Sequence, residues 1–287
     1  MPPVLVPVPY PDDMPRRPSR HRSPVVALAA MTAALAGTLG VVVAAVAGGA
    51  VTGSELLPDL RQEPPSQVAV RRDKGRAVLV FRSAVQNVGQ GRLVVNGRRS
   101  RGQRLMTVNQ ELTRADGSVV RVPTSARMKY EPSWHRHWHL LAFNRFDLRD
   151  PSTGRRVALS NKVGFCLGSR YMVDPGLPGT SATPVINHNC GRLVPGLMRM
   201  RMGIDVGYAD DYAAYVEFQY IDLTGVRPGR YLLVHTADPD GHLVVGDRAD
   251  DTAYALVDLT APRRRGGLPG VTVVATSVGA PPGAPGS

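Results

Sequence analysis

The sequence predicts a mainly β protein, with a β-sandwich-like domain preceded by a single transmembrane or signal helix. Three observations carry this. Short runs of alternating apolar and polar residues recur between 77 and 259, each bounded by glycine, proline, asparagine or aspartate. No segment after residue 51 sustains the 3.6-residue period of an amphipathic helix. Residues 25–51 of the 287-residue chain carry no charge at all.

Taken in order, residues 1–24 are proline-rich, hold Arg16, Arg17, Arg20 and Arg22, and lack an apolar pattern that could support a folded element. They read as a disordered cytoplasmic tail. The uncharged stretch 25–51 is long enough to cross a bilayer as a helix, and the arginines before it place its start inside. Ala45-Val46-Ala47 resembles a small-residue cleavage site, so both a membrane anchor and a cleaved signal stay open. Either way the rest of the chain is expected outside, as a single-pass cell-membrane protein or a secreted one. Residues 52–67 read as a linker, 68–262 as the domain, and the arginine-, glycine- and proline-rich stretch 263–287 as a loose tail.

Within the domain, alternation is visible at 77–81, 91–95 and 118–122, and further apolar runs occur at 140–146, 216–223, 231–235 and 253–259. Arg227-Pro228-Gly229 and Asp238-Pro239-Asp240-Gly241 supply turns between them. The stretch 168–203 is too poor in periodicity to be core and is expected as a long loop. Cys166 and Cys190 are the two cysteines. In an exported domain an even number favours pairing, and without CxxC spacing a zinc ribbon or redox pair is disfavoured.

The formal charge of +12 comes almost wholly from arginine, since the only lysines are Lys74, Lys129 and Lys162. Along the sequence the arginines are scattered rather than banded and form no aromatic-interleaved basic stripe, which, with the apparent export signal, argues against nucleic acid and leaves an anionic surface or polymer as the better partner.

The stretch Trp134–His139 reads WHRHWH. In an extended strand, residues i, i+2 and i+4 share one face, so His135, His137 and His139 converge. Neutral imidazole suits copper, zinc, nickel and iron, and three imidazoles with an open position make a reactive site. An incidental surface strand explains three of only seven histidines on one face poorly.

WHRHWH, then RFDLRD at 145–150, NKVGFCL at 161–167 and QYIDLTGVRPGRYLL at 219–233 resemble the lysyl oxidase family in order and spacing, and FRSAVQNVGQGRLVV at 81–95 is similar to that family's early strands. Asp247–Asp251 falls where the family carries an acidic turn. The resemblance implies a copper amine oxidase whose organic cofactor, a lysine tyrosylquinone, is made from its own side chains. On it the three histidines are the copper ligands, Lys162 of KVGFC is the cofactor lysine, and Tyr212 of GYADDYAAYVEFQY is the cofactor tyrosine, with Tyr208 and Tyr215 as nearby alternatives. Having only two cysteines, the chain resembles a stripped-down bacterial-type member.

A lysine amine can add to an oxidised phenol ring once it has lost its proton, whereas the arginine guanidinium stays charged. The implied activity is oxidation of primary amines by molecular oxygen to aldehydes, releasing ammonia and hydrogen peroxide. Peptidyl lysine and cell-surface amines are the expected substrates. The family's acidic positions after the tyrosine read Tyr215 and Glu217 here, so Asp210, Asp211 and Glu217 all stand as general-base candidates. A non-catalytic extracytoplasmic copper-binding module is the alternative, because only the oxidase needs Lys162 and Tyr212. A zinc hydrolase is weaker, as no HExxH accompanies the histidines.

Overall fold

In a computed structural model of the chain, the described residues are 53–282 apart from Trp134 and Glu217. The tail expected at 1–24 and the apolar segment at 25–51 lie outside them, as does the base candidate Glu217. Eighteen strands follow in order: β1 (Glu55–Leu56), β2 (Leu60–Gln62), β3 (Ser66–Asp73), β4 (Arg76–Asn87), β5 (Leu93–Arg98), β6 (Leu105–Arg114), β7 (Val119–Glu131), β8 (His137–Leu141), β9 (Asn144–Arg149), β10 (Arg156–Leu159), β11 (Gly164–Phe165), β12 (Tyr171–Met172), β13 (Arg199–Ile204), β14 (Tyr208–Tyr212), β15 (Tyr220–Asp222), β16 (Gly229–Ala237), β17 (Thr252–Thr260) and β18 (Gly270–Val278). No helix among the described residues is long and apolar enough to cross a membrane.

The strands fall into three sheets, one more than a simple sandwich has. A seven-stranded sheet runs β11-β8-β7-β6-β5-β13 with β1 also on β6, a five-stranded sheet runs β10-β9-β16-β17-β18, and a six-stranded sheet runs β12-β14-β4-β15 with β2 and β3 also on β4. The alternation that signals strands survives where one face is solvated, as along β17, whose residues alternate between half-buried and buried. β4 is covered on both faces over Val78–Phe81 and reads as a continuous apolar run.

Two expected boundaries are corrected. The linker 52–67 contributes β1 and β2, and Leu60 of β2 is fully buried against the core. The tail 263–287 contains β18, which pairs antiparallel with β17 from Val278 opposite Ala253 to Gly270 opposite Thr260. β18 is an edge strand exposed along most of its length, so it lacks the apolar alternation that marks a buried strand; its β-branched residues were the available signal. The loop 168–203 is largely irregular, as expected, but Ile186 and Cys190 are buried within it.

A run of aromatic rings ties the three sheets together. Phe81 of β4 meets Phe146 of β9 edge-on at 5.1 Å, Phe146 meets Phe165 of β11 at 5.9 Å, and Phe165 meets Tyr212 of β14 at 5.2 Å. Such pairs contribute about 0.5–1.5 kcal/mol each beyond their burial. Cys166, next to Phe165, is disulfide-bonded to Cys190, which closes a loop worth about 3 kcal/mol by chain entropy.

Candidate metal centre and the adjoining lysine–tyrosine pair

β8 pairs with β7 in a hairpin that sets Glu131 opposite His137 and Lys129 opposite His139. Trp138, between the two histidines, points the other way and is wholly buried, its indole N–H donating to the Val194 carbonyl at 3.1 Å. His135 is not on the strand: Arg136 turns the backbone with φ of 49° and β8 begins only at His137. A left-handed arginine costs about 1–2 kcal/mol, and here it swings His135 over its neighbours. The three rings stand 4.7–5.5 Å apart by centroid. One ring nitrogen from each lies within 4.8 Å of the others, and the Nε2 atoms of His137 and His139 are 2.8 Å apart. The convergence expected of a plain strand is thus reached by two strand residues and a turn.

Burial pushes His137 down to about 4 and His139 to about 2, helped by the neighbouring imidazoles and by Lys162. His135 is also lowered, first by burial and then by Lys162. All three rings are therefore neutral at pH 7, with lone pairs to offer, and this donor set fits a transition metal that favours imidazole. The ring of His139 lies over Gly164 of β11, where a Cβ would come within 2.5 Å of Nδ1. Glycine is required there for space.

Lys162 precedes β11, is 7% exposed, and shares with His135 and His139 a cleft of about 160 Å³ that Lys129, Glu131 and Phe218 also line. Its Nζ stands 5.0 Å from the centroid of the Phe165 ring and 5.3 Å from that of Tyr212. Tyr212 is 4% exposed, and its hydroxyl donates to the Asp210 carboxylate, with the Cys166 carbonyl at 3.1 Å. The other two tyrosines are elsewhere: the Tyr208 hydroxyl donates to the Ser181 carbonyl at 2.8 Å, and Tyr215 is 79% exposed.

Alternation along β14 puts Asp210 on the face of Tyr212 and Asp211 on the other. Asp211 pairs with Arg82 at 3.2 Å. Asp210 is fully buried and paired with Arg170 at 2.8 Å. Burial pushes the Asp210 carboxyl up to about 7, against the pull of Arg170 and of the Tyr212 hydroxyl. Burial, then the Asp210 charge, holds the Tyr212 phenol well above its ordinary range.

The lysyl oxidase family model matches residues 95–256, more than half of the chain. The chain belongs to the lysyl oxidase family. Among curated relatives, the protein-lysine 6-oxidase of Rattus norvegicus is 33% identical over 118 residues, 40% of this chain and 25% of that protein. That of Sus scrofa is 32% identical over 118 residues, covering 40% and 41%, and lysyl oxidase homolog 1 of Homo sapiens is 30% identical over 125 residues, covering 43% and 19%. The match thus spans between about a fifth and two fifths of the length of these relatives. All five expected site residues of this lysyl oxidase family member, His135, His137, His139, Lys162 and Tyr212, fall inside the matched region.

Sequence reasoning missed Arg170 and Gly164. An arginine in an arginine-rich chain carries no signal of its own, and Gly164 was seen only as part of the KVGFC motif.

Proposed function

We propose that this lysyl oxidase family member is a copper-dependent amine oxidase that converts primary amines, foremost peptidyl lysine, to aldehydes through a quinone built from Lys162 and Tyr212. The observation that carries this reading is the Lys162 amine lying 5.3 Å from the centroid of the Tyr212 ring, both side chains buried, beside three neutral imidazoles. The curated relatives named protein-lysine 6-oxidase support the substrate class. When bound, copper at His135, His137 and His139 supplies, with dioxygen, the oxidation of the ring, and the quinone supplies the carbonyl electrophile for the amine.

The remaining roles belong to the chain. Asp210 receives the Tyr212 hydroxyl proton through the hydrogen bond already in place, and Arg170 steadies the carboxylate that accepts it. With its carboxyl pushed up to about 7, Asp210 also suits a general base near neutral pH. Lys162 contributes the nucleophilic nitrogen, which already stands 5.3 Å from the centroid of the Tyr212 ring. In net, a primary amine, dioxygen and water give an aldehyde, ammonia and hydrogen peroxide. The Cys166–Cys190 disulfide supports an oxidising location outside the membrane, reached through the uncharged segment 25–51.

Peptide mass mapping of the copper-loaded protein tests the reading. The peptides carrying Lys162 and Tyr212 are expected to be covalently joined, and the link is expected to vanish in Lys162→Arg and Tyr212→Phe. A parent protein that holds copper but forms no link after exposure to oxygen is a metal-binding module instead.

A further inference from the structure

The outer face of the seven-stranded sheet gathers arginines that are far apart in the chain. Arg199 of β13 sits opposite Arg98 of β5, Arg98 opposite Thr107 of β6, and Thr107 opposite Arg127 of β7. One row further along, Leu105 faces Lys129, and Lys129 faces His139. Residues directly opposite in an antiparallel sheet share a face. The arginine row and the histidine site are therefore on one face, and the scatter of arginines seen along the sequence is a band in space. Arg101 and Arg104, in the β5–β6 turn, extend it.

All six basic side chains, Arg98, Arg101, Arg104, Arg127, Lys129 and Arg199, are exposed, and none forms an ion pair with a carboxylate among the described residues. Elsewhere pairing prevails: Arg61, Arg82, Arg114, Arg149, Arg170 and Arg248 each hold an aspartate or glutamate. Of the acids on this face, Glu111 is already taken by Arg121 and Arg201 at 3.3 Å, and Glu131 lies at the cleft end of the band, opposite His137, where it accepts the Ser133 backbone N–H. Like charges left together on one flat face repel one another, and an anionic partner relieves that repulsion.

We propose that this band is a docking surface for an acidic polypeptide segment that carries the amine to be oxidised. The proposal rests on the amine oxidase reading for the fate of that amine. Continuity favours a polypeptide substrate over a lipid surface, since Lys129 belongs both to the band and to the lining of the cleft with Lys162, His135 and His139. Nucleic acid is disfavoured because the outward positions of these strands carry no aromatic side chain for bases to stack on. From β13 to β8 is four strand spacings, about 19 Å at roughly 4.8 Å each. An extended polypeptide crosses that in about six residues at roughly 3.3 Å per residue. The preferred target lysine accordingly has aspartate or glutamate within about six positions, on the side that overlies β7, β6, β5 and β13.

The copper-loaded full chain is compared with its Arg98→Gln/Arg127→Gln/Arg199→Gln variant, which alters only exposed side chains away from the cleft lining. Poly-L-glutamate is expected to bind the parent with an affinity that falls steeply with added salt, and to bind the variant at least about tenfold more weakly. A lysine peptide flanked by glutamates is expected to show a KM raised about tenfold in the variant, with kcat unchanged and n-butylamine oxidised equally by both proteins. Equal poly-L-glutamate binding by parent and variant overturns the docking surface. So does binding to phosphatidylglycerol vesicles without binding to poly-L-glutamate, which makes the band a membrane contact. A parent that oxidises no amine refutes the oxidase reading, while the poly-L-glutamate result still decides the docking surface by itself.

Discussion

His235 of β16 makes the domain sensitive to acid from within. Its ring is fully buried, packed 4.7 Å from Phe81 and 4.5 Å from Phe146, and neither ring nitrogen has a hydrogen-bond partner among the described residues. Burial alone pushes it down to about 3 from an ordinary 6.5. Between those values the unfolded chain binds a proton that the folded chain refuses, so stability is greatest above pH 6.5 and falls as pH drops toward 3. At roughly 1.36 kcal/mol per pH unit, the loss between pH 7 and pH 4 is about 3 kcal/mol. His235→Leu removes that contribution and, because the imidazole leaves buried polar atoms unsatisfied, is expected to cost nothing at pH 7. Urea unfolding of metal-free parent and variant at pH 7 and pH 4, with the disulfide intact, measures the difference. His137, Asp210 and Asp251 titrate in both proteins and cancel. Parallel losses in parent and variant refute the argument.

Two further outcomes concern the metal centre. His137→Ala is expected to strip most bound copper from a domain that remains folded; full copper content by metal analysis removes the triad as the site. Gly164→Ala puts a methyl group where His139 now stands; copper affinity is expected to fall on the order of tenfold or more, and displacement of the buried ring is expected to cost the metal-free protein about 1–3 kcal/mol in urea unfolding.

The histidine site was legible because its three histidines lie within five residues and use one residue type with a strong chemical meaning. Its local geometry was not, since the left-handed turn at Arg136 has no glycine or asparagine to announce it. Lys162 and Tyr212 became visible through family motifs rather than through periodicity, and their approach depends on β11 and β14 belonging to different sheets. The pair of Arg170 with the buried Asp210 arises from the same long-range packing, and a carboxylate deep beside a ring leaves no local mark. β16 and β17 were found as apolar runs, whereas β18 was lost because its exposed surface resembles that of a loop. The third sheet follows from pairings across many tens of residues, as where Leu60 meets Asn87 and Tyr208 meets that same residue.

The hairpin of β7 and β8 also sets a clock. Hairpins close in about 1–10 μs, while β proteins whose contacts are mostly distant in sequence take milliseconds to seconds. His137 and His139 belong to that hairpin and His135 to its turn, whereas Lys162 and Tyr212 are 50 positions apart and meet only when separate sheets come together. The topology therefore completes the nitrogen cage early and the lysine–tyrosine contact late. On the oxidase reading proposed above, a newborn chain can take up an ion before it owns a ring and an amine in register, and self-oxidation waits for the finished fold.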